Sequence, residues 1–391
     1  LYLFKRKYYL FSIPALFYVL FYILKFLPLD NFWMNLSGFL VIFPNSMIFF
    51  GSYLTLYLLL LFNVLFFNLV FYLLNHLHFK RKFFKINKFG VLNIFLFLFL
   101  FFNFFLLNFV FDFLKDETKK GDIGVLGVQG NLEQDWYERS EKKWENFDLY
   151  KKLSLNGIAE YGKENVDVLI WPEYTFTDPI EYDIYFLKQL SDFSIKNDLV
   201  LMVGSILLEN RTINNSRRFN TLFIFDGGNL SFYNAYEPIM ILDDMAVKAE
   251  SNYPVFVNNV SLGLGLCFEE NFPKIYRNEV VLNNASVFFT IGNQYYIKNE
   301  NGLKLTSLNS NLRAVENNRY LFRLETGGLT TVIDNYGVNR KSISINEKGY
   351  LFYEMPLIHE KAFYSLYGDL IDLLLLACSC FFLFIAYFFK A

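Results

Sequence analysis

Val91 to Phe111 reads VLNIFLFLFLFFNFFLLNFVF, a run without one charged side chain. A helix that crosses a bilayer needs about 20 mostly apolar residues, so this segment is long enough to span. Leu54–Leu74 meets the same condition. Leu10–Leu24 is shorter but extends at both ends, and Gly38–Phe50 is a weaker fourth run, interrupted by Pro44 and Asn45. Near the other end, Leu370–Phe389 carries one acid, Asp372, and is otherwise apolar. Buried core helices are the plain alternative, but several such runs in succession argue for a membrane.

The charges sort the same way. Asp30 and Asp112 are the only acids in residues 1–113, whereas residues 115–365 have ordinary polarity. The 54% hydrophobic and 20% aromatic content therefore averages two kinds of chain and excludes an ordinary cytosolic enzyme or a disordered polymer. Three parts are expected: membrane helices over 1–114, one large domain over 115–365 and a closing membrane helix over 366–391. The first residue is Leu, so truncation at the start, or a non-standard start codon, is expected.

Lysines and arginines set orientation. The run His78-Phe79-Lys80-Arg81-Lys82, continued by Lys85 and Lys88, marks the cytoplasmic side. That places the large domain outside and returns the tail inward. Lys5-Arg6-Lys7 falls on the opposite side if all three preceding segments span, which sequence leaves open. A net charge of −2 gives no electrostatic footprint for nucleic acid.

Within the large domain, short apolar runs alternate with polar helical stretches. Strands are expected at Ile123–Val128, Val166–Ile170, Leu199–Val203, Thr221–Phe225, Leu262–Leu266, Val287–Ile291, Leu321–Leu324 and Thr330–Ile333. A long helix is expected within Gln134–Tyr161, and a turn at Asp226-Gly227-Gly228. Such alternation predicts an α/β layered fold.

The chemistry is bounded by what is missing. The three histidines are His76, His78 and His359, none of them between residues 115 and 358, so a Ser-His or Cys-His nucleophile and a histidine metal site are excluded across the core of the domain. Cys267 is its single cysteine. It closes the apolar run Leu262–Leu266 and is followed by Phe268, Glu269 and Glu270. A cysteine where a strand turns into a helix lies near backbone N–H groups that lower a thiol pKa and form an oxyanion hole. Adjacent carboxylates oppose this unless one acts as base. The alternative is a small buried cysteine. Trp171-Pro172-Glu173 follows another strand and offers that base, or merely a helix start.

Together these blocks resemble the nitrilase superfamily of carbon–nitrogen hydrolases and, within it, the apolipoprotein N-acyltransferase family. Val128-Gln129-Gly130-Asn131 with Gln134 and Trp136 is similar to that family's opening strand and loop. Trp171-Pro172-Glu173 is similar to its base. Arg218-Phe219-Asn220-Thr221 through Asp226-Gly227-Gly228 matches a strand pair, and Cys267-Phe268-Glu269 the nucleophile block. Arg313 to Arg319, Thr326-Gly327-Gly328 and Val332 to Gly337 resemble the closing segments. Two blocks depart. The family's lysine position holds Ala235, with Asp243 standing for the acid that follows it, and the block after a later strand reads Gly292-Asn293-Gln294-Tyr295.

The resemblance implies an αββα nitrilase-like sandwich flanked by transmembrane helices, in the cytoplasmic membrane of a bacterium. It implies a cofactor-free, metal-free acyltransferase acting as a monomer. Cys267 would take a fatty acyl chain from a phospholipid, Glu173 would accept the thiol proton, and the thioester would pass to the α-amine of a lipoprotein's diacylglyceryl-cysteine. Glu269 and Phe268 would support the site, Asp243 would replace the loop acid and Trp136 would line the entry. Lys248 is the expected replacement cation, or a solvated surface lysine. A degenerate lipid- or lipoprotein-binding relative and a membrane-tethered amidase remain as alternatives.

Overall fold

The computed structural model describes residues 9–24, 44–79, 94–99, 101, 121–132, 140–209, 217–238, 247–297 and 299–388. These fall into two units, Thr118–Lys361 and a second made of Leu1–Glu117 with Ala362–Ala391.

In the second unit, α1 spans Tyr9–Leu24 and α2 spans Pro44–Phe79. Gly51 (φ 69°, ψ 176°) interrupts α2 with a non-helical residue, so two helices meet there. A closing helix runs from Phe363 to Phe388. Ala15, Tyr18, Tyr57 and Leu375 pack together, and Tyr18 Oη donates to the Asp372 carbonyl at 3.0 Å. Among the described residues two helical stretches, Gly51–Val70 and Phe363–Ile385, are long and apolar enough to cross a membrane. The expected runs Leu54–Leu74 and Leu370–Phe389 fall largely on these two. Leu10–Leu24 lies in a helix of 16 residues, residues 44–50 of the expected run Gly38–Phe50 open α2, and Val91–Phe111 lies largely outside the described residues.

The larger unit contains β1 (Asp122–Gln129), α3 (Lys143–Tyr161), β2 (Val168–Trp171), α4 (Ile184–Asn197), β3 (Val200–Glu209), β4 (Arg217–Asp226) and β5 (Asn229–Asn234). It continues with β6 (Val255–Val257), β7 (Val260–Leu266), α5 (Pro273–Val281), β8 (Val287–Asn293), α6 (Glu300–Asn317), β9 (Leu321–Thr326), β10 (Thr330–Ile333), β11 (Asn339–Ile343) and β12 (Gly349–Pro356). Two six-stranded sheets form, in the orders β12-β1-β2-β3-β4-β5 and β11-β10-β9-β8-β7-β6. Each is parallel at its centre, β1-β2-β3 in one and β7-β8-β9 in the other, with antiparallel pairs outside.

Apart from Arg323 and Glu325 of β9, the parallel strands read as largely apolar runs because both their faces are covered. Ile123, Val125, Ile170, Leu264, Phe289 and Phe322 share one core to which both sheets contribute. Leu126, Val128 and Trp171 on the other face of the first sheet pack under Phe147, Phe186 and Phe193 of α3 and α4. Phe288, Leu321 and Ile333 of the second sheet pack with Tyr276, Val280 and Ala314 of α5 and α6. The layers are helix, sheet, sheet, helix, so the expected α/β sandwich forms.

All eight expected strands are present, several of them longer at an end. Four more form that the pattern does not reveal. β6 has three residues, β11 (Asn-Arg-Lys-Ser-Ile) is almost entirely exposed, and β5 is exposed over its first three residues. Each lies at or near an edge, where burial asks little of the sequence. β12 pairs with β1 over eight residues and is only partly buried. The helix within Gln134–Tyr161 runs from Lys143, with residues 133–139 outside the described set.

Candidate active site

The site gathers at the C-terminal ends of the parallel strands, where open α/β sheets place their chemistry. Cys267 follows β7, and Glu173 lies two residues beyond β2. Cys267 has φ 50°, a left-handed conformation that costs a non-glycine residue about 1–3 kcal/mol. It opens a short 3₁₀ turn, Cys267–Asn271, so the chain reverses sharply at the thiol. Tyr174, directly after Glu173, is also left-handed at φ 50°.

Glu173 is buried, 3% exposed. Its carboxylate accepts from Asn220 Nδ2 at 2.5 Å and is hydrogen-bonded to the Cys267 thiol. Close approach is what allows this. A Cβ at Gly204 of β3 would lie 2.3 Å from the Pro172 carbonyl oxygen and 2.5 Å from Glu173 Cα, so only glycine lets the Pro172-Glu173 backbone lie against that strand.

Burial pushes the Cys267 thiol well up, the Glu173 and then the Glu325 carboxyl push it further, and the Asn293 backbone N–H opposes them. The resting thiol is therefore neutral. A thiolate forms when Glu173 takes the proton, and the Asn293 N–H favours it. This geometry supports nucleophilic attack with Glu173 as general base.

Glu269 has a different place. It is fully buried, and its Oε2 accepts from the Leu266 N–H at 2.7 Å and from Tyr233 Oη at 3.3 Å. Its Oε1 accepts from the N–H groups of Tyr236 (2.5 Å) and Glu237 (3.2 Å). One carboxylate thus ties the residue before the nucleophile to the loop after β5. Burial still dominates and pushes its carboxyl up to about 7, against the pull of those hydrogen bonds. Phe268 is half-buried and meets Phe272 edge to face, ring centroids 5.6 Å apart.

Ala235 is 1% exposed. Its N–H donates to the Asn220 carbonyl and its own carbonyl accepts from the Ala249 N–H, both at 2.9 Å. The position is thus tied to the residue that holds Glu173, and it carries a methyl group. Lys248 pairs with the Glu237 carboxylate, and its side chain is 52% exposed. Trp136 and Asp243 lie outside the described residues.

Four contributors escaped the sequence reading of the site. Asn220 of β4 holds the Glu173 carboxylate, and nothing in its sequence setting marks it. Arg323, Glu325 and Glu270 form a buried group. Arg323 grips Glu270 with Nε and Nη2 at 3.0 and 3.2 Å and lies 3.0 Å from Glu325 Oε1. Ser310 Oγ donates to Glu270 at 2.6 Å. Charged residues at alternate positions of an otherwise apolar strand, Arg323 and Glu325 in β9, were the available signal, because a buried charge requires a partner. Tyr296, 43% exposed, faces the same group. Among the described residues, no three His, Cys, Asp or Glu side chains gather to hold a metal ion.

The sequence profile of carbon-nitrogen hydrolases matches residues 127–357, more than half of the 391 residues. The chain belongs to the carbon-nitrogen hydrolase family. Its relatives within that family include the apolipoprotein N-acyltransferase of Pseudomonas paraeruginosa, 23% identical over 254 residues, which are 58% of this chain and 47% of that protein. Those of Shewanella oneidensis (22% over 275 residues, 63% and 52%) and Rickettsia prowazekii (23% over 256 residues, 60% and 49%) are similarly distant. The chain spans about half the length of the curated relatives it matches. Among solved carbon-nitrogen hydrolase structures, Saccharomyces cerevisiae Nit3, a member of branch 10 of the nitrilase superfamily, is 14% identical. The match covers 65% of this chain and 96% of that one, with a TM-score of 0.49. An amidase from Nesterenkonia sp. is 17% identical, with coverages of 62% and 93% and a TM-score of 0.47.

Proposed function

We propose that this chain is a membrane-bound acyltransferase that moves a fatty acyl group from a phospholipid to the α-amine of a lipoprotein's N-terminal diacylglyceryl-cysteine. The observation that carries the reading is the hydrogen-bonded pair of Cys267 and Glu173, in a unit flanked in sequence by helices long and apolar enough for a bilayer. The names of the relatives supply the substrate class.

In the first half, Glu173 takes the thiol proton and the sulfur attacks the ester carbonyl. The C–S bond forms, the ester C–O bond breaks, and the proton passes from Glu173 to the departing lysophospholipid hydroxyl. In the second half, the amine attacks the thioester, the C–N bond forms and the C–S bond breaks. The amine's surplus proton returns to the sulfur through Glu173. Glu269 holds the turn around the nucleophile, Phe268 packs beside it, and Asp243 and Trp136 belong to the loop and the entry. Both substrates are lipids, so a water-facing site must sit at a membrane surface. The reading accordingly places the unit on the extracytoplasmic face of a bacterial cytoplasmic membrane.

Ala235 favours a second reading, a relative that binds lipid or lipoprotein without turnover, because the lysine position carries a methyl group. Labelling the full chain with a fluorescent phospholipid separates the two. Acyl-enzyme in the parent and none in Cys267→Ala supports transfer; no acyl-enzyme in the parent supports binding alone. Loss of labelling in Lys248→Ala would place Lys248 in the mechanism, and unchanged labelling would remove it. Free fatty acid in place of N-acylated peptide would indicate an amidase-like hydrolase.

A further inference from the structure

We propose that Glu325 works as a neutral carboxylic acid whose Oε2–H donates a hydrogen bond to the oxygen of the tetrahedral intermediates formed on Cys267. This rests on the reading of Cys267 as an acylated nucleophile, and it supplies the oxyanion donor that a methyl group at Ala235 cannot.

The register brings Glu325 to the site. On the parallel strands, Leu266 pairs with Ile291, Gly292 with Glu325 and Asn293 with Thr326. The tips carrying Cys267, the Asn293 N–H and Glu325 are therefore adjacent. Room for the carboxyl comes from Gly292, where a Cβ would lie 2.6 Å from Glu325 Oε2 and 2.7 Å from Oε1. Any larger residue there would displace the acid.

Glu325 is fully buried, yet neither carboxyl oxygen has a hydrogen-bond partner among the described residues. Native proteins rarely leave such groups idle. Arg323 is 3.0 Å from Oε1, but its Nε and Nη2 are aligned on Glu270 and its Nη1 on the Leu329 carbonyl at 2.8 Å. The charged groups facing Glu325 are Arg323 from its own strand, Glu270 from the turn after Cys267 and Glu173 from the loop after β2; Cys267 and Tyr296 stand in the same group. Burial pushes Glu325 well up, Arg323 opposes, and Glu270 and Glu173 add to the rise. Two carboxyls beside one thiol thus divide the work. Glu173, held by Asn220, is the base, and Glu325 is the donor. A carboxylic acid kept protonated in an apolar site serves as an oxyanion donor in ketosteroid isomerase. No proton is transferred: the hydrogen stays on Oε2 while the C–S bond forms and breaks.

The test uses the full chain in detergent with p-nitrophenyl butyrate. Acylation of Cys267 releases one nitrophenolate per site, whatever the physiological acyl donor. Burst rates are measured across pH for the parent, Glu325→Gln, Glu325→Leu and Cys267→Ala. Expected is a burst absent in Cys267→Ala, slowed about 10²–10³-fold in Glu325→Leu, the cost of one oxyanion donor, and largely kept in Glu325→Gln, whose amide still donates. The parent rate should fall at alkaline pH as Glu325 ionises, and that fall should vanish in Glu325→Gln. If Glu325→Leu does not fold, the parent and Glu325→Gln pH profiles decide alone. A burst in Glu325→Leu at the parent rate, a Glu325→Gln as slow as Glu325→Leu, or an alkaline fall that persists in Glu325→Gln overturns the proposal. A parent burst with the ester but no thioester from phospholipid overturns only the lipid reading; no parent burst overturns both.

Discussion

Asn220 Nδ2 donates to Glu173 Oε1 at 2.5 Å, with both side chains buried. The bond joins β4 to the loop after β2 and leaves the rest of the carboxylate for the Cys267 thiol. A hydrogen bond to a charged group contributes about 1.5–3 kcal/mol, which corresponds to about 10–100-fold in rate. Asn220→Ala is therefore expected to slow acylation of Cys267 by that factor with KM little changed. Ester burst kinetics check it, and a change confined to KM would contradict it.

Gly204→Ala tests the close approach that seats Glu173. The new methyl group would meet the Pro172 carbonyl and Glu173 Cα, backbone atoms that cannot swing aside. Overpacking of this kind costs about 1–3 kcal/mol, and a displacement near 1 Å at a reacting group costs about 100-fold in rate. A lower melting temperature together with a slowed burst is expected. Wild-type kinetics in a destabilised protein would show that Glu173 is seated by other contacts.

Glu269→Ala removes the acceptor of three backbone N–H groups and one hydroxyl. Each buried donor left without a partner costs about 1–3 kcal/mol, so a loss of about 3 kcal/mol or more is expected in urea unfolding. Glu269→Gln keeps a carbonyl oxygen and should fall between the two. Faster hydrogen exchange at Leu266, Tyr236 and Glu237 would localise the effect.

Glu279 of α5 gives a pH-dependence with a definite sign. Burial raises its carboxyl from 4.5 to about 7, with the Asn283 hydrogen bond opposing. A folded-state value above the unfolded one means that the fold favours the protonated form. That contribution is full below pH 4.5 and is lost as pH rises through about 7. Across this window it amounts to about 3 kcal/mol. Glu279→Gln should match the parent's stability at pH 4 and exceed it at pH 8. Melting temperatures at the two values decide, and equal shifts at both would contradict the assignment.

Much of this was legible in the sequence. The strand ends were marked by apolar runs that give way to Cys267-Phe268-Glu269 after Leu266 and to Trp171-Pro172-Glu173 after Ile170, one residue short of the observed end of β2 at Trp171. The Asp226-Gly227-Gly228 turn joined β4 to β5 as its composition required. The edges were not legible: β11 (Asn-Arg-Lys-Ser-Ile) has no apolar pattern because an exposed edge strand takes its order from a neighbour's backbone, and β6 (Val-Phe-Val) is apolar but only three residues long. Within the site, Cys267 and Glu173 stood out by type and setting. Asn220 did not, since an asparagine in a strand is marked as functional only by what it faces.

The sequence alone determined the division into apolar flanks and an α/β middle, the absence of histidine between residues 115 and 358, the single cysteine there and the alanine at position 235. These follow from residue identity, which no folding changes. Tertiary structure decided which acids share the thiol. Glu269, two residues from Cys267, is turned away to bind backbone N–H groups, whereas Glu173 and Glu325, far off in sequence, arrive at it. Sheet register and the missing side chains of Gly204 and Gly292 fix that arrangement, and contacts between distant strands are set by packing, not by proximity along the chain.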